Sequence, residues 1–203
     1  MPSDFKIRVA EPNIEEDDAK AVYNAVKEEC LSGSGPYNKQ FEKNFAEYIG
    51  TKYAVAVNSG TAALHLSLEV LGIRDGDEVI TTPFTFAATS NVIIMQNAKP
   101  IFVDIEPETF NLDPLKIESA ISSKTKAIMP IHYAGQPCEM DYINEIAQKH
   151  NLVVIEGGLN SCCQCDIPLK GEETSPSPET QERLKDEAQK SVTLFMAQHA
   201  QGQ

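Results

Sequence analysis

The feature that most constrains this chain is a rhythm: short apolar runs return at roughly 25-residue intervals, with helical patterns between them. The runs are Tyr53 to Val57, Val79 to Thr82, Pro100 to Val103, Ala127 to Ile131 and Leu152 to Ile155. Between them lie Ala62 to Leu71, Phe86 to Gln96, Leu115 to Ile121 and Met140 to His150. Such alternation implies an α/β fold in which a mostly parallel sheet is flanked by helices on both faces. Ligands of sheets of this kind bind beyond the C-terminal ends of the strands. Gly60, the stretch Thr82-Pro83-Phe84-Thr85-Phe86, Asp104 and His132-Tyr133 all fall at such ends.

Among these turns, Asn58-Ser59-Gly60-Thr61-Ala62-Ala63-Leu64-His65 joins an apolar run to a helix through small residues, and Gly72 closes that helix as a C-cap would. The first amides of the helix have no carbonyl a turn earlier to bond, so they face whatever lies above Gly60, and an anion is the favoured guest. Gly60 lets the chain approach that guest closely, and the hydroxyls of Ser59 and Thr61 can donate to a phosphate oxygen. The plain alternative is that Ser59 caps the helix and nothing binds there.

Ahead of this turn, Ile14 to Leu31 reads as a helix with an acidic start, and Ser32-Gly33-Ser34-Gly35-Pro36 breaks it. A second helix runs from about Asn38 to Tyr48, with Phe41, Phe45 and Tyr48 on one face. The 203 residues have room for one α/β domain, or a domain with an appendage. A net charge of -13 lacks the cationic surface that nucleic acid or an anionic membrane requires. No apolar run approaches the ~20 residues that span a bilayer, and the start of the chain lacks the apolar region of a signal peptide. The expectation is a soluble, cytoplasmic chain. Cys30 and Cys138 stand far from Cys162, Cys163 and Cys165, which is no disulfide framework, and reduced thiols are expected.

Read in order, the turns resemble those of the DegT/StrS family of sugar aminotransferases, fold type I enzymes that use pyridoxal 5'-phosphate (PLP). The matching pieces are residues 58 to 65, Gly76-Asp77-Glu78-Val79-Ile80, Phe84-Thr85-Phe86-Ala87-Ala88-Thr89, Pro100 to Ile105, Lys124 to Ile128 and Ile131-His132-Tyr133-Ala134-Gly135-Gln136-Pro137. The resemblance covers roughly residues 8 to 156. It implies the large-domain portion of that fold, with Gly60 and Thr61, helped by Ser59, holding the PLP phosphate. It also implies that Phe86 lies flat on the pyridine ring, where the alternative is a core aromatic starting a helix. Ser32 to Gly35 resembles the family's glycine-bearing loop near cofactor and sugar, or is only a turn. His65 and His132 are read as structural residues, and Asp104 as the end of a strand that binds backbone donors. The reaction implied is transfer of an amino group from glutamate to a nucleotide-linked keto-sugar, for amino-sugar and polysaccharide synthesis, by a homodimer. The alternative is a catalytically inactive, truncated homologue that binds the PLP phosphate at most or associates with a full-length partner.

The chain leaves the family pattern after Leu152-Val153-Val154-Ile155-Glu156. There the family places an acid that pairs with the pyridine nitrogen, whereas this chain reads Glu156-Gly157-Gly158-Leu159-Asn160. Gly157 has no side chain for the task, and a one-residue shift on a strand turns Glu156 to the other face. Asn160 remains as a polar neighbour of the cofactor. The lysine that holds the cofactor in the family should follow within a serine-phenylalanine strand. Lys185 falls at that distance but within Glu182-Arg183-Leu184-Lys185-Asp186-Glu187, a charged helical context. The expected division is therefore residues 1–156 as a partial PLP-dependent large domain and 157–203 as a divergent polar tail with one helix from Pro178 to about His199. The spacing of Cys162, Cys163 and Cys165 is unlike common zinc sites, and no metal is expected. The chain is about half the family's usual length, and the expectation is that residues after about Glu156 arise from a truncated or altered reading frame, or from alternative splicing, of an aminotransferase gene.

Overall fold

The computed structural model describes residues 14–28, 32–158 and 192–193. Helix α1 spans Glu16–Lys27 and α2 spans Pro36–Ile49. Asp18 accepts from the amide of Glu15 at 2.8 Å and so ties the start of α1, whereas α1 buries none of its residues. Helix α2 starts with Pro36 at a position where no amide is needed, and stops at Gly50, whose φ of 80° allows its N–H to reach the carbonyl of Ala46. Phe41 and Phe45 stack at 5.6 Å between centroids, as their spacing predicts.

From Gly60 the expected alternation appears: α3 (Gly60–Val70), β1 (Glu78–Thr81), α4 (Ala88–Met95), β2 (Lys99–Phe102), α5 (Pro114–Ala120), β3 (Thr125–Ile128), α6 (Met140–His150) and β4 (Val153–Glu156). A two-residue strand β5, Val192–Thr193, completes a sheet of order β2-β1-β3-β4-β5. Every pairing is parallel, as an α/β fold joined by helical crossovers demands. Because β2 lies on one side of β1 and β3 on the other, the strand order reverses at β1, which opens a crevice at the strands' C-terminal ends.

Two apolar clusters sandwich the sheet. Leu64, Leu68, Val92 and Ile93 of α3 and α4 pack with Val79, Ala127, Met129, Ile131 and Ile155. On the other face Ile117 of α5 and Ile143, Ile146 and Ala147 of α6 pack with Ile80, Ile128 and Val154. Successive strand residues thus alternate between the two clusters, which accounts for their continuous apolar runs.

Two expectations fail. Residues 53–57 form no strand: no described strand lies beside them, and Tyr53 and Val55 are 74% and 64% exposed. A strand exists only against a neighbour's ladder, and here the amide of Ala56 is taken by the Glu42 carboxylate at 3.0 Å instead. The helix expected over Pro178 to His199 is crossed by β5, where Val192 and Thr193 pair with Ile155 and Glu156. A β-branched pair favours an extended backbone once a sheet edge is offered. The rest of that segment, with Lys185, lies outside the described residues, as do Asn160, Cys162, Cys163 and Cys165.

Candidate functional site

At the start of α3, Ser59 is fully extended (φ -163°, ψ 160°), and its Oγ accepts from the amide of Ala62 at 3.2 Å while its carbonyl accepts from Ala63 at 3.1 Å. Ser59 is thus an N-cap, and its hydroxyl proton remains free to turn outward. The amides of Gly60 and Thr61 precede any carbonyl they could bond within the helix, so α3 ends in donors and a positive partial charge. Gly60 is buried and Thr61 exposed. Capping and anion binding are therefore compatible here, since the cap uses only the oxygen of Ser59.

Phe86 stands in the loop between β1 and α4 and is 64% exposed, so its ring is not a core aromatic. Its carbonyl accepts from the amide of Thr89 at 3.1 Å, which fixes the backbone beneath the ring. His65 lies half-buried on α3. Ser32 to Gly35 form a turn bonded to itself: the amide of Gly35 donates to Ser32 at 2.8 Å, and Asn38 Nδ2 donates to the Gly33 carbonyl at 2.7 Å. Asp104 follows β2, and its Oδ1 accepts from the amide of Ile105 at 2.9 Å. The expected strand-ending role matches that bond.

His132 is held at both ring nitrogens. Nδ1 accepts from the amide of Cys138 at 3.1 Å, which leaves the proton on Nε2, 3.2 Å from Glu156 Oε2. His132 thus donates to Glu156 and joins the end of β3 to the end of β4. Gly157 also continues the sheet: it bridges to Ile131, its amide donates to Pro130 at 3.0 Å, and its carbonyl accepts from His132 at 2.8 Å. A Cβ at this position would stand 2.5 Å from Ile131 Cδ1.

Two features escaped the sequence. Buried Asn111 clamps the loop after β3: its Nδ2 donates to the carbonyls of Gln136 and Pro137, each at 3.0 Å, and its Oδ1 accepts from Tyr133 at 2.9 Å. This amide holds two left-handed residues in place, Phe110 (φ 60°) and Ala134 (φ 49°), conformations that cost on the order of 1 kcal/mol each. The same loops bring together a trio of rings, with Phe84 4.9 Å from Tyr133 and 5.6 Å from Phe110. An Asn and an Asp ahead of Pro114 read as turn and cap residues, and nothing in that local pattern points to a partner 25 residues on.

Cys138 is buried beside the same loop with its Sγ donating to the Ile131 carbonyl at 3.3 Å, and burial pushes the thiol up to about 12. It is inert at neutral pH. Among the described residues no group of three or more His, Cys, Asp or Glu side chains could hold a metal, and no helix is long and apolar enough to cross a membrane.

With this geometry in hand, comparison with known proteins is direct. The model of the DegT/DnrJ/EryC1/StrS aminotransferase family matches residues 12–161. The chain is 49% identical over 150 residues to the spore coat polysaccharide biosynthesis protein SpsC of Bacillus subtilis, covering 74% of this chain and 38% of SpsC. It is 46% identical over 151 residues to GDP-perosamine synthase of Caulobacter vibrioides, covering 74% of this chain and 41% of the synthase. Among solved structures, NtdA of Bacillus subtilis with bound cofactor PMP superposes with a TM-score of 0.67 at 41% identity, over 73% of this chain and 34% of that one. The chain thus spans about two fifths of the length of these curated relatives. A family model matched over residues 12–161, with relatives 49% and 46% identical along about three quarters of the chain, makes this chain a member of the DegT/DnrJ/EryC1/StrS aminotransferase family.

Proposed function

We propose that the described residues are the cofactor-holding part of a PLP-dependent aminotransferase for nucleotide-linked keto-sugars, with glutamate as amino donor. The observation that carries this reading is the capped start of α3, where Ser59, Gly60 and Thr61 present free donors. The exposed ring of Phe86, which is not packed in the core, supports a role for it against one face of a pyridine ring. In this reading residues 1–156 are the large-domain portion, 157–203 the divergent tail, and the working state is a homodimer. Bound PLP supplies an electron sink for the carbon that carries the amino group.

The residues fit the phosphate of that cofactor and do not fit its ring nitrogen. Gly157 offers no carboxylate, and Glu156 is engaged by His132. This mismatch favours a second reading, that the chain binds the cofactor without turning substrate over.

Titration with PLP, followed by absorbance and by borohydride fixation with mass mapping, separates these. A cofactor fixed to a lysine and amino transfer from glutamate to a keto-sugar nucleotide support the enzyme. Saturable, phosphate-dependent binding with neither outcome supports the second reading. Absence of binding removes both.

A further inference from the structure

We propose that this chain holds the ring nitrogen of a bound PLP-type cofactor in its unprotonated form, because Gly157 and Ile131 present hydrocarbon where an acid partner would stand. The inference rests on the cofactor reading above and adds to it the protonation state of the ring.

The two apolar clusters label the two faces of the sheet. Along β4, Val154 packs into the α5/α6 cluster and Ile155 into the α3/α4 cluster. Period-two alternation then assigns Glu156 to the α5/α6 face and Gly157 to the α3/α4 face. The phosphate cradle is the start of α3, so the side-chain direction that serves the cofactor is that of residue 157. That direction runs into Ile131, a member of the same cluster, whose Cδ1 would lie 2.5 Å from the missing Cβ. Glu156 is one residue away and on the wrong face, and the Nε2–H of His132, 3.2 Å away, holds it there.

A nearby carboxylate favours a protonated pyridine inside a protein by offsetting the lost hydration of the cation. Where the lining is aliphatic instead, desolvation favours the neutral ring. A neutral ring withdraws electrons weakly, so the chain would keep its cofactor while transferring amino groups poorly.

The full chain should be titrated with 15N-labelled pyridoxamine 5'-phosphate, which forms no bond to a lysine. Binding is read by calorimetry and the ring protonation by the 15N shift, with the free probe as reference, across about pH 6 to 9. The expected result is saturable binding with the ring nitrogen unprotonated at neutral pH. Gly157→Asp combined with Ile131→Val, which makes room for the new side chain, should shift the nitrogen to the protonated position and tighten binding about tenfold. Gly157→Asn with Ile131→Val supplies the bulk without the charge and should leave the nitrogen unprotonated. A protonated nitrogen in the unaltered chain overturns the proposal even if every variant fails to fold, because that measurement needs no variant. Binding of the probe with a protonated ring removes this proposal alone, whereas no binding removes the cofactor reading and this proposal with it.

Discussion

Single residues carry unequal burdens in this fold, and Asn111 carries one of the largest. Its amide satisfies two carbonyls and one N–H of the loop after β3 from a buried position. Asn111→Ala strands all three groups and should lower stability by about 3 kcal/mol, read as the shift in urea midpoint. Asn111→Asp keeps the acceptor for Tyr133 and sets a carboxylate against two carbonyls, so it should be no milder. A midpoint unmoved in both variants would show the loop is held by something else. Cys138 offers a chemical test at the same scale. Its thiol ordinarily ionises at 9.0, and burial raises it to about 12 in the folded chain. Between those values the unfolded chain has lost the proton that the folded chain keeps. The stabilising contribution is therefore complete below about 9 and declines as pH rises toward about 12. Alkylation at pH ~8 should mark the Cys138 peptide on the order of a thousandfold more slowly in the native protein than after denaturation. Equal rates would place Cys138 at the surface.

At the level of elements, the start of α3 does two jobs that substitution can separate. Ser59→Ala removes both the cap oxygen and the outward hydroxyl and should cost about 1 kcal/mol of stability. Ser59→Gly is tolerated at an N-cap at a cost of only a few tenths of a kcal/mol, yet it too lacks the hydroxyl. Both variants should lose phosphate affinity while only the first loses much stability, as a thermal melt beside a PLP titration would show. Matching losses in both measurements would mean that capping alone explains Ser59. Strand β5 covers the outer edge of β4 through Ile155 and Glu156. Ending the chain before Val192 should speed hydrogen exchange at the amides of β4 and leave those of β1, flanked by β2 and β3, unchanged.

For the molecule as a whole, the sheet divides the core into two halves that do not share side chains. Leu68→Ala on one face and Ile143→Ala on the other should each cost about 2–5 kcal/mol. Their double variant should equal the sum to within about 0.5 kcal/mol, and a larger discrepancy in chemical denaturation would mean the two clusters communicate through the sheet. The βα rhythm, four of the strands and, to within two residues, the helix boundaries from α2 to α6 were legible in the sequence, because each depends on neighbours a few residues away: apolar period, a capping serine, a terminating glycine. Other features depend on which segments become neighbours in space. Whether residues 53–57 find a ladder partner, whether Val192 and Thr193 extend beside β4, and that Asn111 reaches Gln136 and Pro137 are settled by tertiary contacts alone. Gly157 joins both kinds of knowledge. The sequence by itself determined that residue 157 is a glycine and, by strand period, that Glu156 faces the other way, while the family resemblance marked 157 as the place of an acid; that Ile131 fills the space and His132 engages the adjacent carboxylate was decided only when β3 and β4 came together, because a side chain's surroundings belong to the assembled sheet and not to either strand.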